Sequence, residues 1–244
     1  CCENEIILSN FKTDQIDIKK FNLLLNRRIL REPISKIINR KSFWKDEFYV
    51  NKYVLDPRPE TEGIIEESIK IYNDKKAHFK ILDIGTGSGA IAISLAREFE
   101  NAEIVAIDIS EDAIKVANHN IKTKKLNKRI KLKKTSFENI EDNFDLIVSN
   151  PPYLTQNEIN NISDEIKNFE PFMALFGGED GLVFYHEFSK QIYNKLKKGG
   201  YLILEIGASQ FSDCRKIFRD SGLKLIKKEQ DLQKKDRIMI FSKL

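Results

Sequence analysis

The chain is 244 residues long, 41% hydrophobic and 32% charged, with a formal net charge of +4. That length can bury one large core with something smaller ahead of it, and no stretch approaches the run of about 20 apolar residues needed to span a bilayer. The charge balance excludes a uniformly basic nucleic-acid-binding chain, and three cysteines do not make a disulfide framework.

In chain order, Ile16 to Arg31 has helical spacing through Ile18, Phe21, Leu24, Leu25 and Ile29, and Glu32-Pro33-Ile34 breaks it. Phe43-Trp44 and Phe48-Tyr49-Val50 predict a short hairpin. Asp56-Pro57-Arg58-Pro59-Glu60-Thr61-Glu62 is then a stiff approach to a helix from Ile64 to Tyr72, in which Thr61 or Glu60 satisfies the first amides. Arg58 either reaches the ligand end of the sheet that follows or pairs with a neighbouring acid. From Phe79 onward short apolar strands alternate with helical stretches, which predicts a mostly parallel sheet covered on both faces. The strands are Phe79 to Ile84, Glu103 to Asp108, Ile130 to Lys133, Phe144 to Ser149, Tyr201 to Ile206, Leu223 to Ile226 and Arg237 to Phe241. Helices fall at Ala90 to Ala96, from about Glu111, at Val183 to Lys197 and at Gln210 to Ser221.

Two strand ends carry chemistry. Gly85-Thr86-Gly87-Ser88-Gly89 joins the first strand of the sheet to a helix, the first half of a nucleotide-binding unit. Its glycines let the backbone turn tightly and approach a ligand without Cβ atoms in the way. Asp83, two residues before Gly85, would repel a pyrophosphate but would pair with the ammonium and offset the sulfonium of S-adenosylmethionine, so that cofactor is expected and NAD is not. Asp108 ends the next strand where a ribose diol would lie and accepts from both hydroxyls, or else caps the following helix, for which Ser110 is better placed. Phe137 either stacks on adenine or is a buried loop aromatic.

The second strand end is Asn150-Pro151-Pro152-Tyr153. Pro152 biases Pro151 toward extended geometry, so the tetrad presents the Asn150 amide oxygen, the Pro151 carbonyl and the Tyr153 ring. Two acceptors and a plane suit a flat group bearing an NH2; the bland alternative is a Pro-Pro turn capping a strand. Elsewhere, Lys122, Lys124, Lys125, Lys128, Arg129, Lys131, Lys133 and Lys134 either face RNA or a ribosomal partner or form a solvated connection, the latter favoured. Cys1 and Cys2 have no spaced partner pair for zinc and Cys214 lies on a predicted helix, so a reducing compartment and no metal are expected. An amino-terminal Cys also opens mature lipoproteins, but no signal segment is visible.

The sequence resembles the HemK/PrmC protein-glutamine methyltransferases, which methylate the side-chain amide of the glutamine in the Gly-Gly-Gln motif of peptide-chain release factors. The resemblance runs from about Arg31 to Arg237, on Arg31-Glu32-Pro33-Ile34, Phe43-Trp44, Pro57 to Glu62, Asp83 to Ile91, Asn150 to Tyr153, Phe169-Glu170-Pro171, Ala174-Leu175 and Asp180-Gly181. The Asn-Pro-Pro-Tyr tetrad is shared with amino-methyltransferases acting on adenine or guanine in RNA or DNA, whereas the Arg-Glu-Pro and Pro-Arg-Pro-Glu-Thr segments are narrower. The resemblance implies an α/β fold of the class I S-adenosylmethionine-dependent type: Rossmann-like, with a mostly parallel seven-stranded sheet and helices on both faces. It divides the chain into residues 1–62, a partial helical substrate-recruitment segment with a hairpin linker, and residues 63–244, the methyltransferase domain. It implies that Asp83, Gly85, Thr86, Gly87, Ser88, Gly89, Asp108, Phe137 and Asn150 bind the cofactor. It gives the glutamine to Asn150, Pro151, Pro152 and Tyr153, with Asn150, Pro151 and Tyr153 catalytic, in a cytoplasmic enzyme of translation termination that uses no metal. A nucleic-acid amino-methyltransferase and a non-catalytic cofactor-binding module are the alternatives. Three departures stand out: Ser136 where the family commonly has an acid, Lys234 where a glycine is more usual, and little more than one helix before Arg31, as in a truncated chain.

Overall fold

A computed structural model describes residues 17–244. Helix α1 spans Ile18–Ile29, opened by the Asp17 carboxylate accepting from Lys20 N at 3.0 Å. After the short helix α2 (Ile34–Ile38), strands β1 (Arg40–Phe43) and β2 (Asp46–Tyr49) form the expected antiparallel hairpin. A single 3-10 turn at Pro59–Thr61 leads into α3 (Glu62–Ile71). Alternating elements follow: β3 (Lys80–Ile84), α4 (Ala90–Glu98), β4 (Glu103–Asp108), α5 (Glu111–Thr123), β5 (Ile130–Lys134) and β6 (Phe144–Ser149). Two short helices, α6 (Gln156–Asn161) and α7 (Asp164–Phe169), then precede α8 (Val183–Lys195), β7 (Leu196–Glu205), α9 (Phe211–Asp220), β8 (Lys224–Gln230) and β9 (Asp236–Ser242).

The large sheet has seven strands in the order β5-β4-β3-β6-β7-β9-β8, parallel except for β9, which runs antiparallel to both neighbours. Its strands read as near-continuous apolar runs because both faces are covered. Side chains alternate between two cores: Ile81, Ile104, Leu146 and Ile203 face α3, α4 and α5, while Leu82, Val105, Ile147 and Leu202 face α8 and α9. After β5 the chain returns to the far side of β3, so strand order reverses between β3 and β6. Ligand crevices of open α/β sheets lie at such a reversal, outside the carboxyl ends of the strands, and the Gly85 loop and Asn150 follow those two strands directly.

Polar anchors hold the hairpin on this body. The Glu98 carboxylate at the end of α4 accepts from Trp44 Nε1 at 2.8 Å and from the ammonium groups of Lys45 and Lys75 at 2.5 and 2.9 Å. Burial pushes this carboxyl up, but those bonds outweigh it and hold its pKa down at about 2. Buried Asn120 on α5 exchanges two hydrogen bonds with the Tyr49 backbone and donates a third to the Ser88 carbonyl, tying hairpin to glycine loop. Near the carboxyl end, Lys234 sits at φ 60°, a left-handed conformation that glycine adopts without cost. Asp231 holds that turn by accepting from the backbone of Gln233 and Lys235 and from Arg237 Nε. Among the described residues no helix is long and apolar enough to cross a membrane.

Candidate active site

The glycine loop turns out of β3 with Gly85 at φ 69°, where an added Cβ would meet no protein atom within 4 Å: the open side faces the cavity. Thr86 N donates to the Ile107 carbonyl of β4, and Gly87 N donates to Asp108 Oδ2 at 2.9 Å. Asp108 also accepts from Ser110 N at 2.9 Å. Ser110, not Asp108, caps α5, accepting from Ala113 N at 3.2 Å. Asp108 is thus fixed by two backbone donors with carboxylate lone pairs to spare, and burial raises its pKa against those bonds. The cavity it borders has a volume of about 350 Å³, of the size that small-molecule sites have.

Gly85, Thr86, Gly87, Ser88, Asp108, Phe137 and Asn150 line this cavity, and Asp83 and Gly89 do not. Asp83 is fully buried behind the loop, where Oδ2 accepts from Thr86 Oγ1 at 2.6 Å and from Ala92 N at 3.2 Å. It braces the turn; the direct contact with a cofactor ammonium expected from its spacing is not what its position offers. Its Oδ1 is buried without a partner, and burial pushes its pKa up to about 7. Gly89 packs against α5, its Cβ position 3.5 Å from Ala117 Cα.

The far wall was not legible as a site in the sequence. Phe184 and Phe188, one turn apart on α8, join Phe137 to form an aromatic wall, with Phe188 centred 4.4 Å from Phe137 and 5.2 Å from Phe184. Their spacing on a predicted helix was the available signal, but it is also the spacing of core residues. Ser136 lines the cavity beside Glu138, to which its hydroxyl donates at 3.4 Å, so a carboxylate reaches this edge from two residues further on.

Asn150 lies between two cavities. Beyond it, away from the glycine loop, is a second cavity of about 250 Å³ lined by Pro151, Tyr153, Leu175, Glu205 and Arg237, and Asn150 and Arg58 border both. Pro152 faces the first cavity, whereas Pro151 and Tyr153 face the second. The tetrad is clamped from outside: Gln210 Nε2 donates to the Tyr153 carbonyl at 3.0 Å, and Leu154 pairs with Phe176 in an isolated bridge. The Asn150 amide donates through Nδ2 to Thr61 Oγ1 at 2.9 Å, Thr61 Oγ1 donates to Glu205 Oε2 at 2.5 Å, and Tyr153 OH donates to Glu205 Oε1 at 3.1 Å. Among the described residues no donor reaches Asn150 Oδ1 or the Pro151 carbonyl. Thr61, one of the two residues expected to satisfy the first amides, makes no side-chain cap bond to α3: its backbone is already helical at φ −68°, ψ −20°, and its hydroxyl is turned toward Glu205 and Asn150. Arg58 does both things open to it: it borders the cavities and donates to Glu170 Oε1 at 3.1 Å. Glu170 also accepts from buried Lys36, which binds Asp56 as well.

Part of the Lys-rich stretch is paired within the chain, some of it at the surface. Lys124 pairs with Asp46 and Lys134 with Glu111, and Arg129 donates to the carbonyls of Ala96 and Ala102.

A crevice at the reversal point of a seven-stranded sheet, with a glycine loop on one strand end and Asn-Pro-Pro-Tyr on the next, defines a class I methyltransferase. Residues 75–238 match the family described as "Methyltransferase domain". The release factor glutamine methyltransferase of Caulobacter vibrioides is 40% identical over 225 residues, covering 91% of this chain and 78% of that one. The bifunctional methyltransferase of Rickettsia typhi is also 40% identical, over 98% of this chain and 50% of its own, so the chain spans about half the length of that relative. A solved methyltransferase from Pyrococcus furiosus shares the fold with a TM-score of 0.55 at 18% identity, covering 93% of this chain and 98% of that one. The chain belongs to the release factor glutamine methyltransferase family, and S-adenosylmethionine is its cofactor.

Proposed function

We propose that this chain transfers a methyl group from S-adenosylmethionine to the side-chain amide nitrogen of the glutamine in the Gly-Gly-Gln motif of peptide-chain release factors, in the cytoplasm. The observation that carries this reading is the position of Asn150: on the wall shared by the two cavities, with Oδ1 and the neighbouring Pro151 carbonyl both lacking a donor among the described residues. The residues fit the cofactor. Asp108 has acceptor capacity for a ribose diol, the rings of Phe137, Phe184 and Phe188 offer a wall for adenine, and Gly85 leaves room for the methionine chain. When bound there, the cofactor supplies an electrophilic methyl group. The second cavity receives the glutamine side chain.

An amide nitrogen is a poor nucleophile, since its lone pair is tied into a resonance worth a rotational barrier of roughly 18–20 kcal/mol. Two acceptors that take both of its hydrogens favour partial pyramidalisation and stabilise the positive charge that grows on nitrogen. Asn150 Oδ1 and the Pro151 carbonyl are such a pair, and Tyr153, whose ring lines the second cavity, keeps the amide flat against it. Placement does the rest, because reacting atoms about 3–3.5 Å apart and in line meet the near-attack condition. As the N–CH3 bond forms the S–CH3 bond would break, leaving a neutral thioether, and the methylated nitrogen then passes one proton to water.

Replacing Asn150 with Ala is expected to leave cofactor affinity nearly intact and to lower the methylation rate about a hundredfold or more, the scale of one positioned transition-state hydrogen bond. The assay offers labelled cofactor with release factor in one arm and total RNA in the other. A wild-type rate in Asn150→Ala would reduce the tetrad to a structural turn. Label entering RNA alone would keep the chemistry and overturn the substrate.

A further inference from the structure

We propose that Glu205 and Thr61 act as positioning residues that set which end of the Asn150 amide faces the glutamine pocket. This rests on the role given to Asn150 above. A primary amide is nearly symmetric in shape, so packing alone does not distinguish its oxygen from its nitrogen, yet only the oxygen accepts a proton from a substrate NH2. Something must impose polarity, and the hydrogen bonds behind Asn150 do so.

The chain of bonds has one consistent direction. Glu205 stands at the end of β7, 2% exposed, with Oε2 2.5 Å from Thr61 Oγ1 and Oε1 3.1 Å from Tyr153 OH. Burial raises the pKa of Glu205, and the hydrogen bonds from the two hydroxyls oppose it; in its ionised form the carboxylate only accepts, so both hydroxyls donate to it. Thr61 has a single hydroxyl hydrogen, and with that hydrogen committed to Glu205 its oxygen can only accept from Asn150, 2.9 Å away. The partner on Asn150 is therefore Nδ2, and Oδ1 is turned out toward the substrate. A flipped amide would set Oδ1 against a hydroxyl oxygen with no hydrogen left to give, two acceptors face to face in a buried site. Thr61 is free for this duty because it forgoes the helix cap that its place before α3 invites. Arg237, which lines the same cavity, pairs with Asp231 at 3.0 Å and not with Glu205, leaving the carboxylate to the two hydroxyls.

The bland alternative is a buried carboxylate that only ties the Pro59–Thr61 turn and the Tyr153 loop to β7. The variant Thr61→Val, which keeps the shape and removes the hydroxyl, separates the two. If the relay orients Asn150, kcat for the glutamine substrate falls about tenfold, the scale of one lost net hydrogen bond, while cofactor Kd stays within about twofold of wild type. Thr61→Ser restores most of the rate, and in an Asn150→Ala background Thr61→Val costs little more. An activity-independent reading comes from the side-chain NH2 pair of Asn150 in a proton–nitrogen correlation spectrum, identified by its loss in Asn150→Asp. That pair is expected to be protected from exchange in wild type and to become solvent-like in Thr61→Val.

An unchanged rate or unchanged pair in Thr61→Val overturns the relay, as does a fall in cofactor affinity that tracks the fall in rate and is not rescued by Ser. Should wild type fail to methylate release factor, the substrate reading fails by itself, and the Asn150 pair in Thr61→Val still decides whether the relay exists.

Discussion

Asp83 shows what burial does to a single carboxyl. With one oxygen braced by Thr86 and Ala92 and the other unpartnered, its pKa is pushed up to about 7, burial outweighing the hydrogen bonds and Asp108 adding repulsion. A cation entering the cavity on the other side of the loop favours the ionised form. Cofactor affinity is therefore expected to rise as pH passes through about 7, with protons released on binding near neutrality; calorimetry in buffers of different ionisation enthalpy measures both. The stability of the free protein has the opposite slope. A raised folded pKa contributes stability that is fully present below the unfolded value of about 3.9 and is lost as pH rises through about 7. Asp83→Asn keeps an acceptor for Thr86 and Ala92, and should flatten both dependences.

Two elements depend on contacts far along the chain. The hairpin β1-β2 is held to α4 by Glu98, whose depressed folded pKa contributes stability present above the unfolded value and lost as pH falls toward about 2. Lys45 and Lys75 are more than half exposed, so their ion pairs add little. The Trp44 Nε1–H is the costly group to strand. Glu98→Ala is expected to destabilise by about 1–3 kcal/mol near neutral pH and by less in acid, as read from denaturant midpoints. The loop before α8 supports the Asn-Pro-Pro-Tyr turn in a similar way. Gly181 has φ 74°, and a Cβ there would sit 2.4 Å from the Tyr153 carbonyl. Gly181→Ala must displace the Pro-Pro-Tyr backbone, so methylation is expected to fall by tenfold or more, on the order of the loss that misplacement of reacting groups brings. Cofactor affinity should change little, since the loop lies away from the glycine turn; an unchanged rate would show that the tetrad's backbone position does not matter.

At the scale of the whole molecule, the cavity beside the glycine loop is built from segments that run from Phe43 in the hairpin to Phe188 in α8, so a ligand bound in it couples to global stability. A ligand that binds only the folded state at a hundred times its Kd adds about 2.7 kcal/mol. In a chain of this length that is a rise of roughly 5–10 °C in Tm. Thermal melts with S-adenosylmethionine should show it and melts with NAD should not; the reverse order would overturn the cofactor assignment and the charge argument that led to it.

Much of this was legible in sequence because it is local. The apolar runs, the glycine turn, the hairpin and the Asn-Pro-Pro-Tyr turn are written in consecutive residues, and the alternation of strand and helix is enough to bring Gly85 and Asn150 to the same edge of the sheet. Local spacing also placed Ser110 on the cap of α5 and freed Asp108 for the cavity. What it could not supply was the direction of side chains that meet across the fold. Asp83 shows that even local partners leave direction open: Thr86 and Ala92 are only three and nine residues on, yet it is the packing of the loop on the core that turns the carboxylate behind it. Thr61 reads as a helix cap until β7 brings Glu205 within 2.5 Å, and Phe188 and Phe137 are core residues that also line the cavity, a second duty that only packing reveals. Hydrogen-bond partners and ring contacts separated by scores of residues are decided by packing, and packing exists only once the chain has closed on itself.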